Sequence, residues 1–167
     1  QEVRIYGGTD MAFTKKQINQ ILDALRAEYP EAGCALEHID TYQLLIAVVL
    51  SAQATDKSVN RISGRLFEAY PTPFELAEAD QDDVIDIIKT IGMYKTKSKN
   101  IIALAKKLVD EFGGEVPDDY DALISLPGVG RKTANVVLNE LNVEPAIAVD
   151  THVFRVSHRL KLANALK

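Results

Sequence analysis

Lys132 and Asp150 are the two residues whose type and placement promise the most chemistry. Lys132 falls in the first turn of an expected helix, and Asp150 follows 18 residues later at the start of another. An amine can attack a carbon only when it is uncharged. Free lysine titrates near about 10.4, and amine catalysis at neutral pH wants roughly 7–8. The gap is about 3 units, or about 4 kcal/mol. A helix N-terminus disfavours a cation by only ~0.3–1 kcal/mol, rising to ~2 when partly buried. Neighbouring charge such as Arg131, and desolvation against a bound ligand, must therefore supply the rest. Asp150 could stabilise a developing sugar cation or relay protons. Spacing alone leaves two plainer readings open: Lys132 as a surface lysine touching phosphate, and Asp150 as a helix cap.

The residues before Lys132 make the setting more specific. LISLPGVGRKTANVVLNEL (123–141) reads as two amphipathic helices around Pro127, Gly128, Val129 and Gly130. Glycines allow backbone angles closed to other residues and let another backbone come close. The N–H groups of the turn and of the next helix start form a natural phosphate site. Val129 is expected to tuck inward, with Ala134 and Val137 giving the packed face. This is the helix-hairpin-helix pattern, which suits binding to a DNA backbone without reading its sequence. An ordinary helical hairpin is the plainer alternative. A binding module needs no catalytic group, so the hairpin alone does not make an enzyme.

Helices account for nearly all of the remaining pattern. Thr14 with Gln17 predicts a capping box for a helix that stops before Pro30. Tyr42–Gln53 is apolar nearly all round and predicts a buried central helix. Asp56 is expected to cap a helix ending at Tyr70–Pro71, and Asp80 another closed by Gly92. Thr96–Phe112 is expected to form a helix stopping at Gly113–Gly114, and Asp118 to open a short helix through Leu126. Glu144–Val149 reads as extended or loop, and Asp150 as the cap of a last helix through Leu162. No alternating segment is long enough for a sheet, so the expected class is all-α with short connections. Residues 1–10 look like a tag or upstream leftover, with Met11 as a plausible start.

Net charge is −5, which first argues against a nucleic-acid partner. Its distribution argues the other way. Lys89–Lys107 holds six lysines and no acid, while Glu68–Asp86 holds seven acids and no Lys or Arg. Residues 110–121 hold six acids, and residues 151–167 hold four Lys/Arg, two His and none. Separate basic and acidic faces suit DNA, although solvated helix faces would read the same. The longest apolar run, Leu44–Leu50, is too short to cross a bilayer. The single Cys34 fits a reducing cytoplasm.

The hairpin, Lys132 and VDTHVFRVSHRL together resemble endonuclease III, a family of bacterial DNA glycosylases and abasic-site lyases. LIAVVLSAQATDKSVN (45–60), IKTIGMYKTKSKNI (88–101) and GEVPDDYDAL (114–123) resemble other stretches of that family in the same order. The resemblance implies the helix-hairpin-helix glycosylase fold. Residues 11–33 would give an N-terminal helix of a second domain, 34–143 the domain bearing the hairpin (119–141), and 144–167 the start of the second domain's C-terminal part. It implies Lys132 as nucleophile and Asp150 as catalytic carboxylate. Gln53 would fill the gap left by a flipped base, and Met93 stands at a second wedge position where the family usually has leucine. Alone, Gln53 reads as a helix-end polar residue and Met93 as a core methionine. Ser51 and Asp56 match positions near the active site, and His152 one near the substrate. Gly128, Val129, Gly130 and Arg131 would carry phosphate contacts, with a monovalent cation as a candidate bridge.

The implied activity is removal of oxidised pyrimidines from double-stranded DNA and cleavage at abasic sites, by a cytoplasmic, nucleoid-associated monomer. The alternatives are a non-catalytic DNA-binding module, a relative that removes mismatched bases without cutting the strand, and an inactive short form. One departure stands out. The family ends in four cysteines that bind a [4Fe–4S] cluster, whereas this sequence stops at Lys167 with Cys34 alone. The cluster is expected only if the chain continues, and no metal site is expected within these residues. Helices that pair with the first helix would also fall beyond Lys167, so within these residues the helix at 14–29 would lack its partner.

Overall fold

The computed structural model describes residues 13–141, 143 and 147–163. The readings of residues 1–10, Met11 and 144–146 lie outside the described residues. Nine helices form among those described: α1 (Lys15–Glu28), α2 (Thr41–Ser51), α3 (Asp56–Ala69), α4 (Pro73–Ala77), α5 (Gln81–Ile88), α6 (Tyr94–Phe112), α7 (Tyr120–Ile124), α8 (Arg131–Glu140) and α9 (Thr151–Arg159). No strand occurs among the described residues, as the all-α reading expects. The chain divides into two compact units, residues 34–148 and residues 1–33 with 149–167.

The 34–148 unit is built around α2. Every residue from Tyr42 to Leu50 is buried, as its all-round apolar sequence predicts. α3, α6 and α8 pack on it, α4 and α5 lie against α6, and α7 pairs with α8. Tyr42 shows how the core treats a polar tip. Its ring meets Phe67 edge-on at 6.1 Å, and its hydroxyl donates to the Tyr70 carbonyl at 3.2 Å.

Capping decides where the helices begin, and three expected starts move by a residue or two. Thr55, not Asp56, caps α3, because its Oγ1 accepts from Ser58 N. Asp56 becomes the first helical residue, where a carboxylate favours the dipole. Asp119, not Asp118, caps α7 by accepting from Ala122 N at 2.8 Å. α6 begins at Tyr94 rather than Thr96. Helix α5 ends at Ile88, before Gly92, and α9 ends at Arg159, before Leu162. Helix α4 escaped the periodicity reading because it has only five residues. Its signal was nonetheless present: Thr72 and Glu75 form a capping box with Pro73 in the first turn.

In the other unit, α1 carries the expected box between Thr14 and Gln17, and Arg26 pairs with Asp23 at 2.9 Å. It buries no residue: Ile18, Ile21 and Leu22 are half-buried and Leu25 is exposed. α9 also buries none, and its Phe154 and His158 rings stack 4.2 Å apart.

Candidate DNA-binding and catalytic site

The hairpin forms as the sequence predicts. Leu126 and Val129 turn into the core, and Val129 N donates to the Leu126 carbonyl at 3.1 Å. The buried methyls of Val129, Ala134, Val137 and Leu138 tie the turn to α2 and α7. Gly128 and Gly130 differ in what they require. Gly128 has φ +80°, and a Cβ there would sit 3.2 Å from Asn100 Cβ, Asn100 Nδ2 and Val49 Cγ1. Gly130 has φ −103° and open space around its missing Cβ. So Gly128 is set by backbone and packing, whereas Gly130 leaves an open approach at the start of α8.

Lys132 is exposed at the second position of α8, and Arg131 beside it is exposed at the first. α8 begins at the same place without a capping side chain on Gly130. Amide donors, a guanidinium and an amine thus share one helix start. That arrangement can hold an anionic backbone and present the amine beside it.

Gln53 and Met93 come together. Both line one cleft of about 110 Å³, with Val49, Thr96, Lys97, Asn100 and Gly128 around it. Both are exposed, so Met93 is not the core methionine its type suggests. Both also hold left-handed backbone, φ +55° at Gln53 and φ +59° at Met93. Each such position costs a bulky residue roughly 1–2 kcal/mol, and strain of this kind gathers at functional sites. Their φ values depend on the turns after α2 and before α6, which periodicity does not reveal.

Ser51 sits half-buried at the end of α2, its hydroxyl donating to the Val48 carbonyl at 2.9 Å. Asp56 is exposed two residues beyond Ala54, at the head of α3. Asp150 and His152 belong to the other unit. Asp150 caps α9, one carboxylate oxygen accepting from His152 N at 3.0 Å and Val153 N at 2.8 Å. His152 is exposed, with Nδ1 3.3 Å from the Arg155 guanidinium.

Sequence reasoning missed Lys97. It is 4% exposed, and its Nζ has no hydrogen-bond partner among the described residues. Burial pushes its ammonium below the usual lysine range. Periodicity counts lysine as polar and gives no sign that its stem can lie inside. For a metal, the described residues offer no group of three or more His, Cys, Asp or Glu. One cysteine cannot supply the thiolates of an iron–sulfur cluster.

The all-α frame and glycine hairpin define a helix-hairpin-helix repair fold, and residues 46–167 match the family described as "HhH-GPD superfamily base excision DNA repair protein". Endonuclease III of Bacillus subtilis (strain 168) is 49% identical over 145 residues, covering 87% of this chain and 66% of the relative. Endonuclease III of Escherichia coli (strain K12) is 49% identical over 144 residues, covering 86% and 68%. The structure of a trapped endonuclease III–DNA covalent intermediate, an estranged-adenine complex, superposes with a TM-score of 0.84 at 49% identity, covering 91% of this chain and 71% of that one. The chain therefore belongs to the HhH-GPD superfamily of base excision DNA repair proteins and, within it, to the endonuclease III family. It spans about two thirds of the length of those relatives.

Proposed function

We propose that this chain acts in base excision repair as a bifunctional DNA glycosylase and abasic-site lyase for oxidised pyrimidines. The observation that carries this reading is the exposed Lys132 amine at the start of α8, directly after the hairpin's glycine turn. The hairpin seats a phosphate on the N–H groups following Gly128, with Arg131 beside it. The turn at Gly128 and Gly130 would also hold a monovalent cation, which would add positive charge beside that phosphate. Gln53 and Met93 enter the duplex and hold open the space left by the extruded nucleotide. That DNA also desolvates the amine, supplying what the helix dipole cannot.

The neutral Lys132 Nζ then attacks the sugar C1′, forming a C–N bond as the base leaves with the glycosidic electron pair. Asp150 is assigned the carboxylate that offsets positive charge on the sugar and moves protons between steps. Ring opening gives a protonated imine. Loss of a C2′ proton expels the 3′ phosphate, and water hydrolyses the imine to free Lys132. Such an enzyme works where DNA is, in the cytoplasm at the nucleoid, and we assign it as a monomer. Among the described residues no helix is long and apolar enough to cross a membrane.

Borohydride reduction during reaction with an abasic duplex provides the test. The full chain should yield a covalent protein–DNA adduct, and Lys132→Ala should yield none. An unreactive parent chain, or a Lys132→Ala variant that still traps, would falsify the assignment.

A further inference from the structure

Lys97 is the buried charge for which the proposed reaction has no use. A buried ammonium with no partner among the described residues is a poor choice for stability, since desolvation penalises the charge and no acceptor there repays it. Methionine would fill the same volume at no electrostatic cost. The residue makes sense only if an acceptor arrives from outside.

Its surroundings indicate which acceptor. Lys97 lines the same cleft as Gln53 and Met93, and Gly128 of the hairpin lies on it too. A strand seated on the hairpin therefore passes the cleft's mouth. Met93 stands at the cap position of α6, the 19-residue helix that begins there, with no side-chain cap, as Gly130 does for α8. The other seven helices among the described residues all have one. Thr96, exposed in the first turn of α6, also lines the cleft and adds a hydroxyl. Uncapped N–H groups, a hydroxyl and an ammonium are all donors, and together they favour an anion over a neutral base edge. The flexible lysine stem lets Nζ swing to meet it.

We propose that Lys97 and the first turn of α6 form a second DNA phosphate site beside the hairpin, its ammonium held unpaired until the strand supplies the anion. This rests on the DNA-binding reading above. The same residue is then unfavourable in the free protein and favourable in the complex. A lysine serving the fold alone would behave in the opposite way.

The test uses the full chain and a duplex carrying a tetrahydrofuran abasic analogue, so binding is measured without chemistry. Lys97→Met should raise Tm. It should weaken the duplex Kd about ten-fold and lower the salt slope of log K by about one. Single methylphosphonates should reveal one position that weakens the parent chain but not Lys97→Met. A fall in Tm, failure of Lys97→Met to fold, or unchanged affinity and slope overturns the proposal. If the parent chain itself does not bind the duplex, the DNA-binding reading fails too. If it binds and Lys97→Met binds equally, only the Lys97 site fails.

Discussion

Asp150 carries two duties, and they can be separated. Its carboxylate holds two N–H groups at the head of α9, and it is also the proposed catalytic carboxylate. Asparagine caps a helix about as well as aspartate, whereas alanine loses about 1 kcal/mol. Asp150→Asn should therefore leave α9 intact and abolish strand cleavage at an abasic site. Asp150→Ala should lose cleavage and also destabilise α9 by about 1 kcal/mol. Helicity from circular dichroism, read alongside cleavage, distinguishes the two, and an Asp150→Asn variant that still cuts would remove Asp150 from the mechanism. The sequence admitted both readings of this residue because a capping carboxylate and a reactive one occupy the same kind of position. Lys97 was illegible for a different reason. Its burial comes from α6 packing in three dimensions, and its type alone argues for the surface.

At the scale of elements, the hairpin offers the cleanest contrast. The sequence treats Gly128 and Gly130 alike, but the structure gives them separate tasks. Gly128→Ala places a side chain at φ +80° and presses it on Asn100 and Val49, costing roughly 2 kcal/mol from backbone strain and crowding. Gly130→Ala has φ −103° and open space, so it should cost only about 0.5 kcal/mol, mostly from the poorer cap. Its new methyl would nonetheless stand where the proposed phosphate approaches, and abasic-duplex binding should weaken. Denaturant melts and duplex titrations of the two variants decide this, and a Gly130→Ala variant with unchanged duplex binding counts against the hairpin as the phosphate seat. Long helices such as α2, α3 and α6 were legible because a repeated apolar face survives an error of a residue or two at either end. Helix α4 was not, since five residues are too few for periodicity and only the Thr72–Glu75 box announces it. The left-handed turns at Gln53 and Met93 were also hidden, because neither residue type signals positive φ.

Across the whole molecule, burial is distributed unevenly, and this predicts where the chain opens. Every buried hydrophobic among the described residues lies between Leu36 and Leu138. Helices α1 and α9 bury nothing, although their apolar spacing was plain in the sequence. Spacing shows that a face exists; it does not show how much of it becomes covered. An isolated helix of this length is marginal in water, because nucleation is costly and most helix stability comes from packing. A capping box and one exposed Arg26–Asp23 pair add little, the pair ~0–1 kcal/mol. Amides of α2, by contrast, sit where opening must expose the Leu44–Leu50 core. Native-state hydrogen exchange on the full chain should therefore find two classes. α2 and the facing turns of α6 and α8 should exchange only through global unfolding. α1 and α9 should exchange through local opening, with protection of no more than about 1–2 kcal/mol. Protection in α1 equal to that in α2 would mean that its half-buried Ile18, Ile21 and Leu22 contribute as much as a fully buried helix, contrary to the burial described. If the two classes appear, the proposed nucleophile Lys132 stands in a stable unit and the proposed carboxylate Asp150 in a less stable one.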